Sequence, residues 1–121
     1  MEIAYWIAAG ITALGFAFTG AFKLVKSKDQ LKAAGMNWTD SYSANGIRGI
    51  AVAEILGALG LILPPLTGVA VWLAPLAALG LVVIQVGAAR AHLKLNETII
   101  PNIVFGVLAL VSGVLAVIVW L

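Results

Sequence analysis

The residues of this sequence that could do chemistry are a few polar side chains set within long apolar stretches. Glu54 is the clearest, because it is the single acidic residue in its stretch. A charged group in a hydrocarbon layer costs on the order of 2.5–3.5 kcal/mol on insertion scales, so such a residue indicates a functional site by default. Five further polar side chains fall at a similar depth in, or at the boundary of, their own stretches. We therefore predict an intramembrane polar cluster of Lys23, Glu54, Gln85, Arg90, His92 and Asn102.

Within this cluster we expect Glu54 to pair with one of the nearby cations, Lys23, Arg48 or Arg90, because a buried charge needs a counterion. The pair would line a small polar cavity. Three uses of it stay open: the network fixes helix register, it forms a pocket for a quinone or another ligand, or it carries protons or ions. The third is disfavoured, because no further carboxylates continue the path towards the far side.

Missing residue types limit the chemistry further. The 121 residues include no cysteine, which excludes thiolate nucleophiles and thiolate metal sites. The single histidine has no second ligand to support a metal site, so none is predicted. The sequence also has no phosphate-binding glycine loop and no nucleophile elbow. We assign no catalytic residue and do not expect the chain to be an enzyme on its own.

The composition sets the class of protein. Hydrophobic residues make up 63% of the chain and charged residues 10%, whereas soluble domains carry about 25% charged residues. A water-soluble globule would lack the polar surface to cover its core, and a disordered chain would be less apolar. We predict an integral membrane protein whose residues 1–121 form a single transmembrane domain.

Four apolar segments are the elements that must position the cluster. A helix of roughly 20 residues crosses the hydrocarbon core, and helices satisfy their own backbone groups in lipid. We predict an all-α integral membrane four-helix bundle with antiparallel transmembrane helices. The consecutive Pro64 and Pro65, followed by Gly68, are expected to break the chain into a hairpin after the second segment. The predicted spans are residues 3–25, 47–63, 69–92 and 99–121.

The basic residues predict the orientation. All seven Lys and Arg lie in or beside the loops at residues 26–46 and 93–98. By the positive-inside rule these loops are cytoplasmic and both termini lie outside, in a multi-pass protein of the cell's inner membrane. Trp38 and Tyr42 fit an aromatic belt at the inner interface. A short surface helix is expected over residues 28–34, and Glu97 is expected to favour the start of the fourth helix by its charge.

Small residues recur on every segment at spacings that bring helices into close contact. This pattern suits either packing within the bundle or formation of a homo-oligomer, and the sequence does not separate these uses. The stripes are Ala9, Ala13, Ala17 and Ala21; Gly49, Ala53 and Gly57; Ala70, Ala74 and Ala78; and Gly106, Ala109, Gly113 and Ala116.

Several motifs resemble the DoxX-like family of small bacterial membrane proteins. They are AEILGALGLILP at residues 53–64, LAPLAALGL at 73–81, and GAA at 87–89 with His92 after it. Lys23-Leu24 and Gly35-x-x-Trp38 fit as well. The resemblance implies four transmembrane helices and carries over Lys23, Glu54, His92 and Asn102 as family positions, whereas Gln85 stands where many members have Met. Relatives include a subunit of archaeal thiosulfate:quinone oxidoreductase, proteins associated with oxidative-stress enzymes and, more distantly, an assembly chaperone of nicotinic acetylcholine receptors.

Three functions therefore compete. The first is an accessory or assembly subunit that acts through helix contacts and its basic loop. The second is a quinone- or lipid-binding component of a membrane oxidoreductase system, with Glu54 and His92 as proton partners. The third, a small transporter, is disfavoured because four spans offer little machinery for alternating access. The expected partners are the lipid bilayer and a membrane protein or a second copy of the chain, with no nucleic acid. A cavity touching Glu54 would favour the second function, and a solidly packed bundle would favour the first.

Overall fold

A computed structural model describes residues 1–40 and 42–121 of the chain with their side chains. Its α-helices are α1 (Glu2–Val25), α2 (Lys28–Ala33), α3 (Ala44–Thr67), α4 (Leu73–Lys94) and α5 (Ile100–Trp120), with a 3₁₀ helix at Asn37–Ser41. The described residues form no strand. All the helices except α2 and the 3₁₀ helix are long and apolar enough to cross a membrane. The predicted all-α membrane bundle is therefore confirmed.

The four long helices form a closed ring. Helix α1 packs against α3 and α5, and α4 packs against the same two helices. Because consecutive spans reverse direction, every neighbouring pair in this ring is antiparallel. One end of the bundle holds α2, the 3₁₀ helix and the α4–α5 connection, and all seven Lys and Arg lie at or near it. We call this end the basic end.

The structure corrects the predicted break at the proline pair. Helix α3 runs through Pro64 and Pro65 to Thr67, and the chain turns only at Gly68, whose φ is 73°. A proline at position 65 cannot donate to the carbonyl of Leu61, one helical turn back. The hydroxyl of Tyr5 on α1 donates to that carbonyl instead, at 2.5 Å. A neighbouring helix therefore satisfies one of the two acceptors that the prolines leave free.

The other helix ends lie near the predicted ones. Helices α1 and α5 match the first and fourth predicted segments to within one residue at each end. Helix α3 starts three residues earlier than predicted, at Ala44, where the hydroxyl of Ser43 accepts from the Gly46 amide at 3.0 Å. Helix α4 starts four residues later than predicted, at Leu73, because residues 68–72 make the connection from α3.

The predicted surface helix forms as α2. Ser27 and Gln30 make a reciprocal capping box at its start, and Gly35 has a φ of 95° just past its end. Leu31 is 1% exposed, and α2 packs against the 3₁₀ helix. The loop at the basic end is therefore a folded element.

Small residues are more than half of the buried residues on the four long helices, but of the predicted α3 stripe only Gly57 packs within the bundle, against Leu81 of α4. Gly49 and Ala53 on α3 are exposed. The buried face of α3 instead lies one or two positions further along, through Ala51, Glu54, Ala58 and Leu61. On the other helices the small residues buried in the core are Ala8, Ala9, Ala13 and Gly20 on α1, Ala74 and Ala78 on α4, and Ala109, Ser112 and Ala116 on α5.

Candidate functional site

The polar site begins with a single face of α1. This face begins with Tyr5 and continues seven residues later with Thr12. Phe16, Thr19 and Lys23 follow on the same face at intervals of three or four residues. This spacing keeps the side chains on the side of the helix that faces the bundle interior. Tyr5, Thr12 and Phe16 are buried, with 0%, 0% and 1% exposure. The face therefore delivers polar groups into the bundle, and the charged one lies at the basic end.

An ion pair joins α1 to α3 within the bundle. The Lys23 ammonium donates to Oε1 of Glu54. The hydroxyl of Thr19, one turn before Lys23, donates to Oε2 of the same carboxylate at 2.7 Å. The side chains of Lys23 and Glu54 are only 12% and 2% exposed. Of the three cations predicted as partners for Glu54, the structure selects Lys23.

An aromatic ring of the loop also contacts the Lys23 ammonium. The Lys23 ammonium lies 5.4 Å from the centroid of the Trp38 ring, and this ring packs edge-to-face on Tyr42 at 5.6 Å. A cation over an indole face is attracted by the ring's negative face. Trp38 thereby links the folded loop to the ion pair.

Two hydrogen-bonded pairs form the opposite wall, on α4 and α5. Nδ2 of Asn102 donates to Oε1 of Gln85 at 3.0 Å, and this joins the two helices. Nδ1 of His92 lies 3.1 Å from Oε1 of Glu97, in the α4–α5 connection. The contact fixes the imidazole ring and leaves its Nε2 for another partner. Glu97 therefore orients the His92 ring. It lies three residues before α5, which begins at Ile100.

Between these walls lies a cavity of about 590 Å³ at the basic end. Phe16 and Phe105, in edge-to-face contact at 5.5 Å, form its deep end. One turn further from the basic end, Thr12 and Ser112 hydrogen-bond at 3.2 Å in the packed core. Trp38 and Met36 from the loop line the cavity as well. Its remaining lining includes Thr19, Lys23, Tyr42, Ile50, Glu54, Val83, Ile84, Gln85, Gly87, Ala88, Ala91, His92, Glu97, Thr98, Pro101 and Asn102.

The structure brings five of the six predicted cluster residues to this cavity: Lys23, Glu54, Gln85, His92 and Asn102. The sixth, Arg90, is exposed and contacts a smaller neighbouring pocket of about 260 Å³, together with Lys94. Arg90 and His92 are two positions apart on α4, so they point to different sides of the helix. Sequence reasoning did not assign Thr19, Trp38 or Glu97 to the site. Of these, Thr19 could be found from its four-residue spacing to Lys23.

The donor set constrains what could bind. Among the residues that the structure describes, no group of three His, Cys, Asp or Glu side chains could hold a metal ion. The donor groups in the cavity lining are an ammonium, two amides, three hydroxyls, an imidazole and an indole N–H, and its deep end is aromatic. Such a lining suits an organic molecule with hydrogen-bond acceptors and a flat ring.

Four membrane-length helices, with a largely apolar cavity at the basic end that carries a few polar groups, define a small multi-pass helical membrane protein, which lies in a lipid bilayer. The particular family follows from the sequence. The chain matches the DoxX-like family over residues 7–119 and belongs to that family. The resemblance seen in the motifs is thus confirmed. No curated protein and no solved structure matches the chain.

Proposed function

We propose that this chain is the quinone-binding component of a membrane oxidoreductase system. The observation that carries the proposal is the cavity of about 590 Å³ beside Glu54, with polar groups on two walls and aromatic rings at its deep end. A protein that acted only through helix contacts would need no such space at the layer of its buried carboxylate. A quinone supplies redox chemistry when bound, because its ring takes up two electrons and two protons to become the quinol.

The charge of the lining favours a neutral ligand. Four of the described lining side chains can be charged near neutral pH: Lys23, Glu54, His92 and Glu97. The lysine is already paired with Glu54, and Glu97 is 3.1 Å from His92. No surplus positive charge remains for a phosphate or a carboxylate. A quinone headgroup is neutral and offers only carbonyl acceptors, so it matches this balance.

The chain's own groups can orient such a ring. An ammonium makes three hydrogen bonds, and Lys23 has one to Glu54, so it can donate to a carbonyl in the cavity. Asn102 uses one N–H on Gln85 and has a second N–H free to donate from the opposite wall. Phe16 and Phe105 are placed to contact the flat ring. Donors on two walls fit the two opposed carbonyls of a quinone.

Two groups are placed to exchange protons with the bound ring. Glu54 is held by Lys23 and Thr19 at one wall, and His92 is oriented by Glu97 at the other. His92 lies close to the basic end, so its ring can pass a proton between the cavity and water. The electrons are expected from elsewhere, since a chain with no cysteine has no thiolate ligands for an iron–sulfur cluster and its one histidine is assigned to the bound ring. We infer a redox partner protein, so the chain would also be an accessory subunit.

The proposed orientation places the basic end in the cytoplasm, in line with the positive-inside rule. Because the chain has no cysteine, single cysteines can report it without background. Ser27→Cys lies at the basic end and Thr67→Cys at the opposite end. In intact cells, a membrane-impermeable maleimide should label Thr67→Cys and spare Ser27→Cys. The reverse pattern would place both termini inside.

Quinone binding is tested by the fluorescence of Trp38, which lines the cavity. Titration of the protein in nanodiscs with a short-chain ubiquinone analogue should quench the emission saturably. Trp38→Phe should abolish the saturable part. Trp72→Phe, in the α3–α4 connection at the opposite end, should keep it.

Two matched glycines test whether the cavity is the site. Gly87 lines it and Gly80 does not, and the two lie seven positions apart on one face of α4. A Cβ at either position meets nothing within 4 Å. Gly87→Leu should fill the cavity and weaken binding at least tenfold, whereas Gly80→Leu should bind as the wild type does. Equal affinity in both variants would overturn the proposal.

A further inference from the structure

We propose that the smaller pocket beside the cavity is a site for a phosphate-bearing anionic headgroup. This pocket has a volume of about 260 Å³ and lies where the end of α4 meets the folded loop. Its two cations, Arg90 and Lys94, are four residues apart and so share one face of α4. Trp38 and Tyr42 form the opposite side.

The charge of this pocket differs from that of the main cavity. Arg90 and Lys94 form no ion pair with another residue that the structure describes, and no carboxylate lines the pocket. Two unpaired cations on one face attract an anion, and the fork of an arginine matches a phosphate. The pocket therefore selects the negative ligand that the paired charges of the main cavity disfavour.

The surroundings of the pocket fit a lipid. Gly87 and Ala91 provide a floor with almost no side-chain bulk, so a headgroup can lie against α4 itself. Trp and Tyr side chains at one level of a membrane helix are typical of the headgroup layer. Basic pockets between helix ends at that level bind anionic lipid headgroups. Free inorganic phosphate has the same chemistry, so the test must separate these two sources.

The test compares two pairs of basic residues that carry equal charge. Arg90→Gln with Lys94→Gln removes the pocket's cations. Lys26→Gln with Lys28→Gln removes the same charge from the basic end without touching the pocket. Each protein is reconstituted in nanodiscs of phosphatidylcholine with a minority of phosphatidylglycerol, and native mass spectrometry measures the lipid that stays bound.

We expect the wild type and the Lys26/Lys28 variant to retain phosphatidylglycerol. The Arg90/Lys94 variant should retain it about 25-fold less, because each basic side chain near an anionic surface strengthens binding roughly fivefold. Equal retention in all three proteins, or equal loss in both variants, would overturn the proposal. Millimolar inorganic phosphate is then added to the wild type. Displacement of the lipid would show that phosphate itself is sufficient, and no displacement would show that the whole lipid is required; either result supports the site.

This inference does not depend on the proposed quinone function. Gly87 lines both the main cavity and the smaller pocket, so the Gly87→Leu variant is not used to test the headgroup site. Loss of quinone quenching with normal lipid retention would leave the headgroup site standing, and the reverse would leave the quinone site standing. The two results are therefore separable in the same preparations.

Discussion

The hydroxyl of Tyr5 on α1 donates to the carbonyl of Leu61 on α3 at 2.5 Å, joining residues 56 positions apart. Pro65 is the residue whose amide would otherwise meet this carbonyl, and a proline has no N–H. A polar group of one helix thus repairs the backbone of another. The bond supports the helix at a pair of prolines that, in the sequence alone, indicate a turn.

The first prediction follows from that bond. Tyr5→Phe keeps the ring in its edge-to-face contacts with Trp6 and Trp120 but removes the hydroxyl that donates the hydrogen bond. The Leu61 carbonyl is then unpaired in an apolar layer, and we expect a loss of about 1–2 kcal/mol in the free energy of unfolding. Unfolding in mixed micelles of increasing denaturing detergent measures it.

A double-mutant cycle provides the control for this bond. Pro65→Ala restores an amide to the Leu61 carbonyl, so it should recover most of the loss caused by Tyr5→Phe. Pro64→Ala restores an amide to the carbonyl of Gly60 instead and should not. Equal recovery by both alanines would contradict the assignment of the bond to position 65.

The sequence was sufficient for the fold because apolar stretches of about 20 residues leave few alternatives in a membrane. The sequence was less informative at Pro64 and Pro65. The donor to the free Leu61 carbonyl is the side chain of Tyr5, which lies 56 positions before Leu61. No local pattern contains that donor.

The candidate site was likewise predictable in part. Depth in the membrane was enough to group Lys23 with Glu54, and the four-residue spacing to Lys23 is enough to add Thr19 to the same helix face. Choosing Lys23 over Arg48 and Arg90 required the rotation of each helix about its axis, which depends on packing. Arg90 shows the limit of depth alone, because it lies at the right level but faces away from the cavity.

The second prediction concerns a close approach of α1 to α3, at Gly20. A Cβ there would lie 2.9 Å from the backbone oxygen of Ala51 and 2.8 Å from a side-chain carbon of Ile55. A backbone carbonyl in a packed helix cannot move aside, so Gly20→Ala should destabilise the protein by about 1–3 kcal/mol. Gly10→Ala, where a Cβ meets nothing within 4 Å, is the matched control on the same helix. It should be neutral or stabilising by at most about 1 kcal/mol; equal losses in the two variants would show that the contact between the helices is not close.

The third prediction concerns the ion pair on the loop. Lys32 and Asp40 approach to 2.9 Å, with side chains 53% and 56% exposed. The hydrogen bond and the charge of Asp40 raise the pKa of Lys32 above its ordinary value. A raised lysine pKa contributes stability below the unfolded value, and this is lost only as the pH rises through the folded value. Because exposed pairs contribute little and salt screens them, Asp40→Asn should leave the melting temperature unchanged between pH 7 and 9 at physiological salt. A clear drop in this variant would show that the pair orders the loop.

The last prediction separates the two members of the ion pair between Lys23 and Glu54. Lys23→Met leaves a carboxylate with 2% exposure without its counterion, and we expect a loss of about 3 kcal/mol or more. Glu54→Gln should cost less, about 1–2 kcal/mol, because the lysine can extend its ammonium towards water at the basic end. The double variant should therefore be more stable than Lys23→Met alone.

Arg90→Met is the matched control for Lys23→Met, because it removes an exposed cation from the same end of the bundle. It should change the unfolding free energy by less than about 0.5 kcal/mol. If Arg90→Met cost as much as Lys23→Met, the loss would reflect the overall charge of the basic end. If the double variant lost the full sum of the single changes, Lys23 and Glu54 would act independently. The proposed proton exchange at Glu54 would then lack the coupling between these two side chains that holds the carboxylate in place.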